Sequence, residues 1–262
     1  MERLDKELVK RNLASNRTKA QELIQKGFVF INGKEVIKTS TIIKEEDTIV
    51  VKENNLFKYV SRGGFKLEKA INVFNVNLNN KVVLDIGSST GGFTDCSLQN
   101  GAKKVFAVDV GTDLLHEKLR ENTRVKLFEN TNIINVSDDV FNEVDIIVTD
   151  VSFVSLSKIF ERIVKAPKQY EIVCLIKSQF ECGKEVAKKY KGIILNEKIH
   201  RQVLENTILM FNSNNYFVKG LTFSPIKGGD GNIEYLAYLT PNKPNITLNI
   251  NSLVEQAFNN RF

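Results

Sequence analysis

The chain has 262 residues, 42% apolar and 26% charged, a globular balance that fits one large domain or a small one joined to a medium one. No apolar run approaches the roughly 18 residues of a membrane helix, and residues 1–12 lack the apolar stretch of a secretory signal, so a membrane-spanning or exported protein is not expected. A net charge of +6 with a pI near 9.0 suggests a polyanionic partner. Cys96, Cys174 and Cys182 have no metal-like spacing and cannot all pair, so a reduced cytoplasm and no metal site are expected.

Residues 1–58 read as a separate small unit. Arg3-Leu4-Asp5 opens a short helix, and Ser15 is the expected N-cap of a second over Asn16–Lys26, with Ala20, Leu23 and Ile24 on one face and Gly27 as the stop. Phe28 to Ile31 alternates, Asn32-Gly33 turns, Val36 returns, and Thr48 to Val51 is a last strand. Residues 1–34 hold eight bases against four acids. Arg3, Arg11, Arg17, Lys19 and Lys26 are candidates for phosphate contact, the bland alternative being a solvated face. The run from Arg3-Leu4-Asp5 through Ser15-x-Arg17-x-x-Ala20-x-x-Leu23-Ile24-x-x-Gly27-x-Val29-x-Ile31-Asn32-Gly33 resembles the small RNA-binding domain named after ribosomal protein S-four. That resemblance implies recognition of structured RNA through shape and backbone.

Around Phe57-Lys58-Tyr59-Val60 the chain reads as a linker, set at 59–63, with a second domain over 64–262. Arg62 joins the RNA-contact candidates. A helix opens at Ser61 or Gly64 and turns Leu67, Ala70, Ile71 and Phe74 inward. Lys66 falls in its first turn, against the helix dipole, which suggests a role beyond a solvated lysine.

Lys81 to Phe93, KVVLDIGSSTGGF, joins a short apolar strand to Asp85 and a glycine-rich turn. In open α/β sheets, ligands sit beyond the carboxyl ends of the strands, so Asp85, Gly87, Ser88, Ser89, Thr90, Gly91 and Gly92 are candidates for holding a small cofactor. The spacing Gly87-x-x-x-Gly91-Gly92, with Ser89 where G-x-G-x-x-G needs glycine, argues against a pyrophosphate cradle. It is similar to the S-adenosyl-L-methionine site of Rossmann-like methyltransferases; an ordinary βα turn is the alternative. Four strands end on charge, at Asp85, Asp109, Asp150 and Lys177, and a parallel sheet gathers such ends on one edge. Asp109 stands where such folds hold a ribose diol, Asn132 is a candidate for facing adenine, and Val151-Ser152-Phe153 forms a pocket wall. Further on, a helix over 199–212, a strand over 217–222, a loop at 228–232 and a strand over 233–239 carrying Glu234 complete the pattern. The bland alternative for Glu234 is an edge-strand residue facing water.

The order Lys66, Asp150, Lys177, Glu234 resembles the Lys-Asp-Lys-Glu tetrad of FtsJ-like RNA ribose 2′-O-methyltransferases. With Ser61-Arg62-Gly63-Gly64-Phe65-Lys66-Leu67, Ser89-Thr90-Gly91-Gly92-Phe93-Thr94-Asp95, Asp150-Val151-Ser152-Phe153, Lys177-Ser178-Gln179-Phe180-Glu181 and Gly231-Asn232-Ile233-Glu234, the chain resembles the TlyA family over nearly its full length. The expected fold is α/β, a Rossmann-like methyltransferase sheet with helices on both faces, preceded by a small α+β RNA-binding domain. The resemblance implies 2′-O-methylation of a cytidine in ribosomal RNA with S-adenosyl-L-methionine as cofactor and Lys177 as base. The partner is ribosomal RNA or a ribosomal subunit, and a monomer without metal is expected. Only Met1-Glu2 before Arg3 favours the shorter family form, associated with large-subunit RNA. Ser178 replaces an expected proline, and Tyr190-Lys191-Gly192-Ile193 is a loose version of a glycine-rich segment.

A ribose hydroxyl is a poor nucleophile until its proton is lost, so the enzyme must align it with an activated methyl and remove that proton. A lysine does so when burial and a second cation lower its pKa; neighbouring carboxylates act the other way. Three rivals are an RNA-binding protein with an inactive methyltransferase domain, a membrane-active haemolysin (a name the family has carried), and a base-modifying methyltransferase. The full tetrad, the lack of a membrane helix and the lack of an Asn/Asp-Pro-Pro-aromatic motif speak against each in turn.

Overall fold

The computed structural model describes residues 2–51 and 58–260. The chain separates into two compact units, Met1–Lys58 and Tyr59–Phe262.

In the first unit, β1 (Glu2–Arg3) leads into α1 (Leu4–Lys10), followed by α2 (Arg17–Gln25), β2 (Val29–Ile31), β3 (Lys34–Glu35), β4 (Ile42–Ile43) and β5 (Ile49–Val51). Two antiparallel sheets form, β1 with β4 and β3-β2-β5. Leu4 and Leu8 of α1 pack with Ala20, Leu23 and Ile24 of α2 over Val29 and Ile43. The cap of α2 is Asn16, whose side chain accepts from the Lys19 backbone N–H, not Ser15. Adjacent Ser and Asn are both able to cap, and the extended backbone at Asn16 decides between them.

The second unit runs α3 (Gly63–Phe74), β6 (Val82–Ile86), α4 (Gly92–Gln99), β7 (Lys104–Val108), α5 (Glu117–Arg120), β8 (Val125–Phe128), α6 (Asp138–Glu143), β9 (Ile146–Thr149) and α7 (Leu156–Ile163). It continues through β10 (Glu171–Lys177), α8 (Ser178–Glu181), α9 (Lys184–Lys189), α10 (Glu197–Ser213), β11 (Phe217–Phe223), β12 (Glu234–Thr240) and α11 (Ile250–Asn259). The seven-stranded sheet has the order β11-β12-β10-β9-β6-β7-β8. Strands β10, β9, β6, β7 and β8 are parallel, and β12 runs antiparallel between β10 and β11.

Period-two alternation divides the sheet into two cores. Ile172, Cys174 and Ile176 of β10 face Phe160, Phe211 and Val254, while Val173 and Leu175 face Leu67, Ala70 and Phe93. Helices therefore cover both faces, and the carboxyl ends of the parallel strands are left open.

Residues 59–63, read from sequence as a linker, are built into this unit. Tyr59 is buried, the Val60 N–H donates to Asp95 Oδ2 at 2.8 Å, and Gly63 opens α3. Phe57, the first residue of that reading, lies outside the described residues. Strands β1 and β4, two residues each, give no period in the sequence and were not foreseen. Asp85 is the penultimate residue of β6 and not its end.

Candidate active site

Four elements bring the charged residues together. Lys66 comes from the first turn of α3, Asp150 follows β9, Lys177 closes β10, and Glu234 opens β12. Lys177 and Glu234 stand opposite each other in the antiparallel register, so their side chains share one face of the sheet. All four line one cavity of about 440 Å³, with Ser61, Arg62 and Gly63, the turn residues Gly87 to Thr90 and Gly92, and Ser152, Phe153, Phe180 and the 226–230 loop around them.

Asp150 bridges the lysines. Lys66 Nζ lies 3.0 Å from Asp150 Oδ2 and 2.7 Å from Glu234 Oε2, while Lys177 Nζ lies 2.6 Å from Asp150 Oδ1. Lys177 Nζ also donates to Ser152 Oγ at 2.8 Å. Burial pulls the Lys66 ammonium down, but the charges of Asp150 and Glu234 outweigh it, and its pKa lies above the ordinary lysine value. For Asp150, burial favours the neutral acid and the two lysines outweigh it, leaving the pKa below the usual carboxylate range. Lys66 is thus a fixed cation between two carboxylates, and among the described residues Lys177 carries a single ion pair plus a hydroxyl. Glu234 is only 2% exposed and lies in a strand with neighbours on both sides, so it is no edge residue facing water.

The glycine turn is shaped by close approach. A Cβ on Gly92 would fall 2.8 Å from the Gly64 nitrogen, so the starts of α3 and α4 pack against each other through Gly63, Gly64 and Gly92. Gly91 has φ +97° and would meet Leu119 and Leu115. Ser88 and Ser89 lie between Gly87 and Gly91, just before the start of α4.

Asp85 lies beneath the turn, fully buried, and Thr94 Oγ1 donates to its Oδ2 at 2.6 Å. Burial pushes its pKa up to about 7. Asp85 Oδ1 and Ser88 Oγ are buried without a hydrogen-bond partner. Asp109 accepts from the N–H groups of Ser89 at 2.7 Å and Gly111 at 2.8 Å. Asn132 is exposed and accepts from the Ile134 N–H. Neither Asp109 nor Asn132 lines the cavity that holds the tetrad.

A family model for FtsJ-like methyltransferase matches residues 59–240, which spans all four tetrad positions and the turn. The chain belongs to the TlyA family of FtsJ-like methyltransferases. A model for the S4 domain matches residues 2–49 of this methyltransferase. YqxC of Bacillus subtilis is 46% identical over 242 residues, covering 91% of this chain and 85% of its own. The 16S/23S rRNA (cytidine-2′-O)-methyltransferase TlyA of Mycobacterium tuberculosis is 34% identical over 239 residues, covering 90% and 89%. The solved structure of a haemolysin-named protein from Streptococcus thermophilus superposes with a TM-score of 0.74 at 40% identity, covering 98% of this chain and 95% of that one.

The cofactor of this methyltransferase is S-adenosyl-L-methionine, and the site fits such a group. Ser88 Oγ, unpartnered among the described residues, and the N-terminal N–H groups of α4 give a polar wall to one end of the cavity, with the unpartnered Asp85 Oδ1 buried beneath the turn.

In the first unit the arginines have partners of their own. Asp5, fully buried, accepts from Arg3 Nε at 3.0 Å, Arg17 Nε at 2.9 Å and Gln21 Nε2 at 2.9 Å. Arg11 donates to Glu7 and to the carbonyls of Asp47 and Glu45, so it ties α1 to the 44–47 loop. Lys26 pairs with Glu22 one turn away, and Lys19 is half-buried. Arg62, in the second unit, is exposed at the cavity rim.

Sequence reasoning did not single out Phe180, the 226–230 loop, or Ser152 as a partner of Lys177. The last had a signal in hand, since Ser152 follows two residues after Asp150.

Proposed function

We propose that this methyltransferase transfers a methyl group to the 2′-hydroxyl of a cytidine in ribosomal RNA, with Lys177 as the general base and large-subunit RNA as the first substrate to test. The observation that carries the assignment of the base is the asymmetry of the two lysines around Asp150. Lys66, held by two carboxylates, stays protonated and fixes Asp150. Lys177 is held by one carboxylate oxygen and the Ser152 hydroxyl, which fix its amine at the cavity wall. The cofactor supplies an activated methyl on a sulfonium centre. Lys177 Nζ, as the free amine, would take the proton of the ribose hydroxyl, and the electron pair left on that oxygen would displace the methyl from sulfur, with the neutral thioether as leaving group. Asp150 keeps the amine aimed and balances the charge that the proton brings.

Support for ribose in RNA comes from the M. tuberculosis relative, whose name gives cytidine-2′-O in rRNA, and from the match of the first unit to an RNA-binding domain. Phe153, 90% exposed at the cavity rim with a positive φ of 65° and its ring 5.3 Å from that of Phe180, offers an aromatic face to a nucleobase. In this reading the chain acts as a monomer in the cytoplasm. The test is methyl transfer from labelled S-adenosylmethionine to unmodified ribosomal subunits and naked rRNA. Label in an alkali-resistant linkage at one cytidine supports the reading, and label confined to a base or absent from every RNA overturns it.

A further inference from the structure

Beyond the cavity, residues 183–195 carry four lysines, Lys184, Lys188, Lys189 and Lys191, against one glutamate, Glu185. All four lysines are exposed, and none is ion-paired with a carboxylate among the described residues. Helix α9, at the centre of this segment, buries none of its residues. Only Val186 and Ala187 in it are half-buried, so this six-residue helix gains little from packing, and its persistence in a folded chain calls for another use.

The ends of the segment are fastened to the catalytic strands. It begins just after α8, whose Gln179 and Phe180 line the cavity and which follows Lys177 directly. At its other end, Ile194 N–H donates to Asn232 Oδ1 at 2.9 Å, and Asn232 Nδ2 donates to the Gly192 carbonyl at 2.8 Å. Asn232 is fully buried and stands two residues before Glu234. His200, also buried, adds a second anchor through Nε2 and the Ile194 carbonyl at 2.9 Å. A carbonyl only accepts, so Nε2 carries the proton, and the single lone pair of Nδ1 faces the hydroxyls of Ser178, next to Lys177, and Tyr235, next to Glu234, accepting from one of them at a time. Between these anchors, Gly183 (φ +84°) and Gly192 (φ +79°) bracket the basic stretch, with open space where a Cβ would lie.

We propose that the segment from Gly183 to Leu195 is an RNA-backbone surface, which holds phosphates of the strand flanking the acceptor nucleotide beside the cavity. The inference rests on the RNA reading above. Unpaired exposed ammonium groups gain from phosphate by counterion release, without reading sequence. The anchors at Ile194 keep that surface in register with Lys177 and Glu234, so binding of the flanking strand carries the ribose toward the base.

The test uses the full chain and unmodified transcripts of the large- and small-subunit rRNA. Binding is measured between about 50 and about 300 mM salt for the wild type and for the Lys184→Gln/Lys188→Gln/Lys189→Gln/Lys191→Gln variant. A Lys81→Gln/Lys103→Gln control removes exposed lysines at the amino ends of β6 and β7. The quadruple variant should lose about tenfold or more in RNA affinity at moderate salt, and its salt slope should shrink by about 0.7–0.9 for each lysine that contacts a phosphate. Cofactor affinity and melting temperature should match the wild type, and the control should bind RNA with an unchanged slope. An RNA affinity and slope equal to wild type would overturn the proposal, as would an equal loss per lysine in the control. Methyl transfer measured on the same RNAs separates the two readings. A wild type that methylates none of them refutes the proposed reaction, while the binding comparison still decides the role of the segment.

Discussion

Glu234 holds Lys66 at 2.7 Å, and among the described residues no second carboxylate does the same for Lys177. This one ion pair separates two lysines that look alike in the sequence. Lys66→Met leaves Asp150 and Glu234 buried with one countercharge between them, which should cost about 3–5 kcal/mol and lower the melting temperature by on the order of 10 °C. Lys66→Met/Glu234→Met removes one of the stranded carboxylates and should recover part of that loss in thermal unfolding. Turnover should stay low in both, because Asp150 has lost its anchor.

Asp85 gives a pH prediction. Its folded pKa, about 7, is raised above the unfolded aspartate value of about 3.9. Between these values the folded chain binds more protons than the unfolded one, so this group's contribution makes stability fall as pH rises from about 4 to about 7. Asp85→Asn keeps an oxygen for the Thr94 hydroxyl and removes the charge. Without cofactor, the variant should melt above the wild type at pH 8, and the difference should vanish near pH 4. A constant difference across that range would show that Asp85 does not titrate as described.

Asp5 has the opposite sign. The hydrogen bonds from Arg3, Gln21 and Arg17 outweigh its burial and hold its carboxyl well below the usual range. The stability it contributes is present above the ordinary aspartate pKa and is lost as pH falls through the lower folded value. Asp5→Ala should destabilise the first unit by about 3 kcal/mol at neutral pH, read by hydrogen exchange in α1 and α2. RNA affinity should fall with it, since Arg3 and Arg17 lose the group that positions both.

Phe153 makes little packing contact and holds a backbone conformation that bulky residues avoid. Phe153→Ala should therefore leave the melting temperature unchanged. If a nucleobase stacks on the ring, KM for RNA should rise roughly 5- to 100-fold, from about 1–3 kcal/mol per stacked base. An unchanged KM would remove Phe153 from the substrate site.

Much of this was legible in the sequence for one physical reason. A parallel sheet sends every strand's carboxyl end to the same edge, so charged residues after apolar runs share that edge, with Asp150 and Lys177 on neighbouring strands close enough to pair and Asp109 two strands further along. The same logic does not reveal that β12 inserts antiparallel between β10 and β11, which places Glu234 opposite Lys177 and against Lys66. It does not reveal pairings across loops either. Arg17 and Asp5 are twelve positions apart, and their contact exists only once α1 and α2 pack. Tyr59 read as linker because an aromatic residue beside glycines has no period, yet its ring fills the space that Gly64 leaves open.

The most direct test of the account is single-turnover methyl transfer by Lys177→Ala, with cofactor and rRNA both prebound. The account predicts wild-type affinity for both and a rate lower by about 10²–10⁴-fold, the range for loss of a positioned general base. A wild-type rate in that variant would contradict it and leave proton removal to another group.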